Sequence, residues 1–271
     1  MIVFPNCKIN LGLHITGKRP DGYHNLETVF YPVPCTDILE IIPADTFTFT
    51  TTGIPIPGGD NANLCTKAYQ LLQQQFPQLP PVHIHLHKVI PMGAGLGGGS
   101  ADGAFTLTLL NKKYDLGLTQ QQLQQYALTL GSDCPFFINN KPAFATGRGE
   151  VLTEVPLDLS AYNIVLVNPG IHLSTAQAFA MLHPGMPPTS LQKMIQQPVE
   201  TWKNALANDF EQPVFKLFPV IAQIKADLYN AGAVYASMSG SGSTVFGLFN
   251  KALGQIPITV ADGYTSFHFP L

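Results

Sequence analysis

Pro91-Met92-Gly93-Ala94-Gly95-Leu96-Gly97-Gly98-Gly99-Ser100-Ala101-Asp102 decides how the rest of this chain is read. Five of the seven residues from Gly93 to Gly99 are glycine. A backbone without Cβ atoms can turn several N–H groups onto one anion. Downstream, Ser100 to Lys112 places Ala101, Ala104, Phe105 and Leu109 on adjoining faces, which predicts a helix. A helix start adds unpaired N–H groups and the positive end of its dipole. Upstream, Val82 to Val89 has the period of a strand. Strand, glycine loop and helix together describe a cradle for a polyphosphate, built from main chain rather than side-chain charge.

The composition fits that economy. Of 271 residues only 11% are charged, against roughly 25% in soluble domains. The formal net charge of −3 argues against a broad nucleic-acid surface. A hydrophobic content of 45% excludes a disordered chain, and 24 glycines with 23 prolines exclude a coiled coil. Six of those glycines lie from Gly93 to Gly103, so part of the glycine excess is one anion site rather than scattered turns. No stretch approaches the ~18 apolar residues of a membrane helix, and the start of the chain lacks the pattern of a secretory signal. Cys7, Cys35, Cys65 and Cys134 form no C-x-x-C pair and no zinc spacing, so they read as reduced, buried thiols of a cytoplasmic protein.

Working outward, residues 1 to 50 read as a meander of antiparallel strands, with Arg19-Pro20-Asp21-Gly22 as a turn. A helix is expected from Asn61 to Phe76, capped by Asn61 or Asn63 and stopped by Pro77. Thr119 and Gly131 bracket another, and residues 142 to 156 read as a hairpin. Beyond a buried strand at 163–167, helices are expected over 175–182, 198–208 and 213–229, and strands over 234–238, 244–249 and 264–269. Strands and helices that do not alternate strictly indicate an α+β fold. The domain boundary is placed between 158 and 159. His83, His85 and His87 fall on one strand face ~6.6 Å apart along the strand, a spacing that suits a solvated face better than a metal site.

Three kinds of phosphate loop compete for residues 91–102. Gly93-x-Gly95-x-x-Gly98 formally satisfies a dinucleotide-binding pattern, which keeps a dinucleotide-dependent oxidoreductase in view. Its preceding strand, however, alternates His with apolar residues instead of running continuously apolar. A Walker A loop needs Lys directly before its Ser, where this chain has Gly99. The third kind fits: the stretch resembles the P-x-G-x-G-L-G-x-[GS]-[SA] motif of the galactokinase, homoserine kinase, mevalonate kinase and phosphomevalonate kinase superfamily, the GHMP kinases. Pro5-Asn6-Cys7-Lys8-Ile9-Asn10-Leu11-Gly12-Leu13 and Asp21-Gly22-Tyr23-His24-Asn25-Leu26-Glu27-Thr28 resemble the branch that acts on a cytidine-diphosphate-linked methylerythritol. Leu130-Gly131-Ser132-Asp133-Cys134-Pro135-Phe136-Phe137 and Gly240-Ser241-Gly242-Ser243-Thr244-Val245-Phe246 are similar to two further family elements, in the family's order. Cys7 stands where Ala is commoner, and Gly103 where Ala is usual, at a helix cost of ~1 kcal/mol.

The resemblance implies a two-domain GHMP kinase fold: an N-terminal, ribosomal-S5-like ATP-binding domain over 1–158 and a ferredoxin-like C-terminal domain over 159–271. The last strand, 264–269, is left room to rejoin the first domain. It implies ATP-dependent phosphorylation of the substrate's 2-hydroxyl, in non-mevalonate isoprenoid biosynthesis. Another GHMP small-molecule kinase, of homoserine or mevalonate type, and an inactive nucleotide-binding homologue remain as alternatives. Asp133 is implied as the base and Lys8 as its cationic partner, although composition alone would read them as a turn former and a strand residue. Phosphate contacts fall to Pro91, Met92, Gly93, Ala94, Gly95, Leu96, Gly97, Gly98, Gly99, Ser100 and Ala101, and contacts to the ATP base to Asn63, Leu64 and Lys88. Tyr23 and Phe179 are implied to sandwich the cytosine, His24 to hydrogen-bond it, and Asn10 with Thr175 to hold the erythritol hydroxyls. Magnesium is expected to accompany ATP and touch Ser100. No nucleic acid or membrane partner is expected, and the chain is expected to act as a monomer or weak homodimer.

Overall fold

The computed structural model describes residues 1–57, 62–182, 184–187, 189–254 and 256–271, with the Thr175 side chain outside the described set. The strands are β1 (Ile2–Val3), β2 (Asn6–Lys18), β3 (His24–Thr36), β4 (Ile38–Pro43), β5 (Thr48–Gly53), β6 (Val82–Lys88), β7 (Ala143–Thr146), β8 (Val151–Glu154), β9 (Tyr162–Asn168), β10 (Tyr235–Met238), β11 (Val245–Asn250) and β12 (Thr265–Pro270). The helices are α1 (Leu64–Gln75), α2 (Gly98–Lys113), α3 (Gln120–Leu130), α4 (Cys134–Asn139), α5 (Thr175–Ala180), α6 (Leu191–Met194), α7 (Trp202–Ala205), α8 (Glu211–Leu217) and α9 (Pro219–Asn230). The chain divides into two compact units that interleave along the sequence. One comprises Met1–Cys7, Cys35–Met92 and Gly97–Lys141; the other comprises Lys8–Pro34, Gly93–Leu96 and Pro142–Leu271. The sequence-based division, by contrast, is a single cut at 158/159.

The first unit holds a sheet in the order β1-β4-β6-β5. β5 runs parallel to β6, which corrects the expectation of an all-antiparallel meander. The reason lies downstream: parallel neighbours need a long crossover, and α1 supplies it between β5 and β6. Leu39, Ile41, Val82, Ile84 and Leu86 fill the inner face of this sheet. On the other face Thr50 Oγ1 bonds His83 and His85 at 2.7 and 2.9 Å, and Thr52 Oγ1 bonds His85 and His87 at 3.1 and 2.9 Å. The histidines are thus tied into a threonine ladder, and no metal-holding cluster occurs among the described residues.

Helix α2 packs against α1, α3 and α4. Gly103 makes that packing possible, because a Cβ there would lie 2.9 Å from Leu64 Cβ and 3.4 Å from Leu130 Cδ1. The helix-propensity cost of this glycine is therefore offset by the close approach of α1. Helix α1 starts from Asn63, whose Oδ1 accepts the Cys65 N–H at 2.8 Å; the alternative cap, Asn61, lies outside the described residues. Thr119 and Gln122 close the expected capping box of α3, and Gly131 ends it.

The second unit contains sheets β2-β3-β7-β8 and β10-β11-β9-β12. In the latter every pairing is antiparallel, and α9 packs on β10 and β11 around a core that includes Val165, Val167, Ile221, Ile224, Leu228 and Phe249. β12 pairs with β9 over Thr265–Pro270, so the last strand completes the C-terminal sheet and does not rejoin the first domain. The register is built from apolar pairs such as Phe267 opposite Leu166 and Phe269 opposite Ile164. The single helix expected over 213–229 is two helices, since Pro219 cannot continue the α8 hydrogen-bond ladder and starts α9 instead.

Candidate active site

In the first unit the site is the start of α2. The helix begins at Gly98, two residues earlier than expected, with Gly97 as a left-handed N-cap at φ +70°. The first intrahelical bond is Ala101 N–H to Gly97 O at 2.9 Å, so the amides of Gly98, Gly99 and Ser100 have no partner within the helix. Gly99 is exposed, and a Cβ there would meet nothing within 4 Å. These amides carry the partial positive charge of a four-turn helix. Ser100 and Cys134 share a hydrogen bond, which ties the first turn of α2 to α4, while burial pushes the Cys134 thiol up to about 12 and keeps it unreactive.

Asp133 is the N-cap residue of α4, half-buried and in the helical region at φ −83° and ψ −16°. Its side chain does not cap that helix. Pro135 at the helix start fixes the turn that presents it. Asn63 and Leu64 both lie at the start of α1, the asparagine oxygen being used for capping.

The Lys88 side chain turns into the first unit. It is only 1% exposed, and its ammonium bonds Asp37 Oδ2 and, at 2.7 Å, Asp102 Oδ2. Burial disfavours its charge, yet the two carboxylates outweigh that and hold its pKa above the ordinary lysine value.

In the second unit, Gly93, Ala94, Gly95 and Leu96 run beside β2. Lys8 N–H bonds Leu96 O at 2.9 Å, and Thr244 N–H bonds Ala94 O at 3.2 Å. The Lys8 ammonium, on a side chain 4% exposed as a residue, donates to Asn10 Oδ1 at 2.6 Å and to Gly95 O at 3.2 Å, and sits 4.9 Å over the Phe30 ring. Asn10 Nδ2 donates to Thr28 Oγ1 at 2.9 Å, and Thr28 donates onward to Gly12 O at 2.6 Å. Ser239 Oγ also donates to Gly95 O, at 2.8 Å. Asn10 is therefore buried with both ends engaged, at 1% exposure. Its carboxamide oxygen holds the Lys8 ammonium from one side.

The aromatic group lies in the same unit. His24 stacks on Phe179 with centroids 4.9 Å apart and planes 21° off parallel. Phe210 anchors Phe179 from below, edge-on at 5.0 Å. Tyr23 is 55% exposed, and its ring carries the Arg148 guanidinium at 4.9 Å. Of the two rings expected to sandwich a base, Phe179 carries His24 and the exposed Tyr23 carries Arg148. Thr175 starts α5, but its side chain lies outside the described residues.

The GHMP kinases N terminal domain matches residues 63–141, and the GHMP kinases C terminal domain matches residues 190–255. A 4-diphosphocytidyl-2-C-methyl-D-erythritol kinase from Bacteroides fragilis is 56% identical over 273 residues, covering 99% of this chain and 98% of its own. The chain belongs to the GHMP kinase family. As a GHMP kinase it is an ATP-dependent phosphotransferase with a small-molecule acceptor. A crystal structure of a 4-(cytidine 5'-diphospho)-2C-methyl-D-erythritol kinase superposes with a TM-score of 0.80 at 34% identity, covering 92% of this chain and 90% of that one. A homoserine kinase from Cytophaga hutchinsonii superposes at 0.71 with 15% identity, covering 99% and 94%, a likeness of fold alone.

Several residues that bond to or pack on these groups carry no strong sequence signal. Thr28 ends the Asp21–Thr28 motif, and Ser239 directly precedes the late glycine element. Asp37 and Arg148 belong to no motif. Arg148 lies between Gly147 and Gly149, at φ +69° and +109°, and that flanking pair is a signal of a tightly turned, presented side chain.

Proposed function

We propose that this kinase transfers the γ-phosphoryl group of ATP to the 2-hydroxyl of 4-(cytidine 5'-diphospho)-2-C-methyl-D-erythritol, a step of non-mevalonate isoprenoid precursor synthesis. The observation that carries this reading is the end-to-end match, at 56% identity, to a relative named for that substrate. The Asp21-Gly22-Tyr23-His24 element and its aromatic neighbours support it over a homoserine- or mevalonate-type reaction.

Phosphoryl transfer asks a protein mainly for position and for charge stabilisation. The loop and first-turn amides from residue 91 to 101 hold the phosphates of ATP. Asp133 accepts the proton of the attacking hydroxyl. Lys8, aimed by Asn10 and the Gly95 carbonyl, offsets the charge that develops on the transferring group. Asn63 and Leu64 flank the base of ATP. The Ser100 hydroxyl would hold a magnesium ion brought with ATP, which would supply neutralisation of the phosphate charge. Along the chain the two family domains are assigned to residues 1–158 and 159–271, a linear division that differs from the interleaved compact units. The enzyme works in the cytoplasm, as a monomer or weak homodimer.

At the acceptor end, a cytosine ring takes up the stacking surface of Tyr23 and Phe179, and His24 turns from stacking partner to hydrogen-bond partner. Arg148 belongs to this end as well. Its Nε reaches Glu150 at 3.3 Å, and among the described residues its Nη fork has no acceptor. A planar fork held over an exposed tyrosine suits a diphosphate. Arg148→Ala is expected to raise the KM of the cytidylyl substrate about 10-fold or more, on the scale of one charged hydrogen bond, and to leave the KM of ATP unchanged. Initial-rate kinetics against both substrates check this, and an unchanged acceptor KM removes Arg148 from the site.

The reaction itself is tested by ADP release with the cytidylyl substrate, homoserine and mevalonate in parallel. Turnover of the first alone is expected. Turnover of either other compound without the first would sink the assignment.

A further inference from the structure

The strand before the glycine loop and the helix after it are tied together by three buried charges. Asp37 is the single residue between β3 and β4. Its Oδ1 accepts the N–H groups of Val89 and Ile90, at 2.6 and 2.9 Å, which are the first amides beyond β6. Its Oδ2 accepts from Lys88, the last residue of β6, and the same ammonium donates to Asp102 in the second turn of α2. The ammonium lies directly under the first turn, since a Cβ on Gly98 would stand 3.0 Å from Lys88 Nζ. All three side chains are almost fully enclosed.

A chain with 11% charged residues has placed three of them in one dry spot. Stability does not explain that choice, because apolar replacements of a buried ion pair are often neutral or better. What the charges add is direction: each bond fixes the β6 exit or the α2 entry, the two ends of the glycine loop. We propose that Asp37, Lys88 and Asp102 form a brace that holds both ends of the loop in the register that binds ATP phosphates, with Asp37 and Asp102 as positioning residues. The proposal rests on the reading of the loop as the ATP phosphate site.

The brace has an internal imbalance, one ammonium for two carboxylates. Asp102 Oδ1 is buried without a partner.

The test uses the full-length enzyme and measures KM for ATP, KM for the acceptor, kcat and thermal melting. Asp102→Leu cuts the tie to α2 and is expected to raise the ATP KM about 10-fold, with the acceptor KM unchanged. Asp102→Asn keeps an oxygen for Lys88 and is expected to raise the ATP KM less than two-fold. An ATP KM that Asp102→Leu leaves unchanged, an equal loss for both substrates, or an ATP KM raised as far in Asp102→Asn as in Asp102→Leu overturns the brace. Absence of ATP binding by the parent protein overturns the reading of the loop, and the brace with it.

Discussion

Asp133→Asn is expected to lower kcat by about 10²- to 10⁴-fold, the range in which a general base acts, while ATP affinity and melting temperature stay near those of the parent protein. The substitution is nearly isosteric, and Asn serves at a helix N-cap as well as Asp does. An aspartate at this position would ordinarily be explained by capping, but this side chain makes no cap bond to α4. Pro135 and the Gly131-Ser132 turn hold the backbone whichever residue follows them, so a stability change is expected to be small. What the amide lacks is the capacity to take a proton at pH 7. Steady-state turnover, ATP titration and a melting curve on one preparation separate these effects. If the variant keeps the parent's kcat, Asp133 is not the base; if it melts far lower, the residue is a structural one.

How far the sequence could be read depends on how local the cause was. The glycine loop was legible because its chemistry is contained in ten consecutive residues. The start of α2 was misplaced by two because Gly98 and Gly99 are poor helix formers, yet their amides are the ones a phosphate would use. The parallel β5–β6 pair was hidden because alternating Thr and Phe reads alike for either direction, and only the crossover through α1 decides. Pro219, by contrast, was a visible breaker inside a segment read as one helix.

At the site the same distinction holds. Lys8 and Asn10, two apart on β2, could be matched to a motif, but their hydrogen bond to each other is visible only in the structure. Lys88 is separated from Asp37 by 51 residues, and no periodicity announces a pairing at that range. Gly103 reads as a defect in a helix, and the reason for it is Leu64, which comes from another helix. A sequence pattern records which residue types a place tolerates; the partner that imposes the tolerance often comes from another element.

Gly95→Ala is the second large effect, and its pair with Gly99→Ala separates architecture from ligand binding. At Gly95 φ is +78°, and an added Cβ would stand 1.9 Å from the backbone oxygen of Ser239. A main-chain atom cannot rotate away, so the loop or the Ser239 turn must shift. The left-handed conformation costs Ala ~1–2 kcal/mol, and overpacking adds ~1–3 kcal/mol. A fall in melting temperature of about 5–15 °C follows for a protein of this size. Activity should fall with it, because the Gly95 carbonyl is the one that receives Lys8 Nζ at 3.2 Å and Ser239 Oγ at 2.8 Å. Gly99→Ala is the reverse case. The position is helical, has open space around it, and gains up to ~1 kcal/mol from the better helix former. Its methyl group would nonetheless stand on the exposed first turn of α2, where a phosphate has to approach the amides. Melting at or above the parent value with an ATP KM raised several-fold is therefore expected for Gly99→Ala, and a joint loss of stability and turnover for Gly95→Ala. Should Gly99→Ala bind ATP as the parent does, the first-turn amides are not the phosphate contact; should Gly95→Ala melt normally, the Ser239 contact does not constrain the loop.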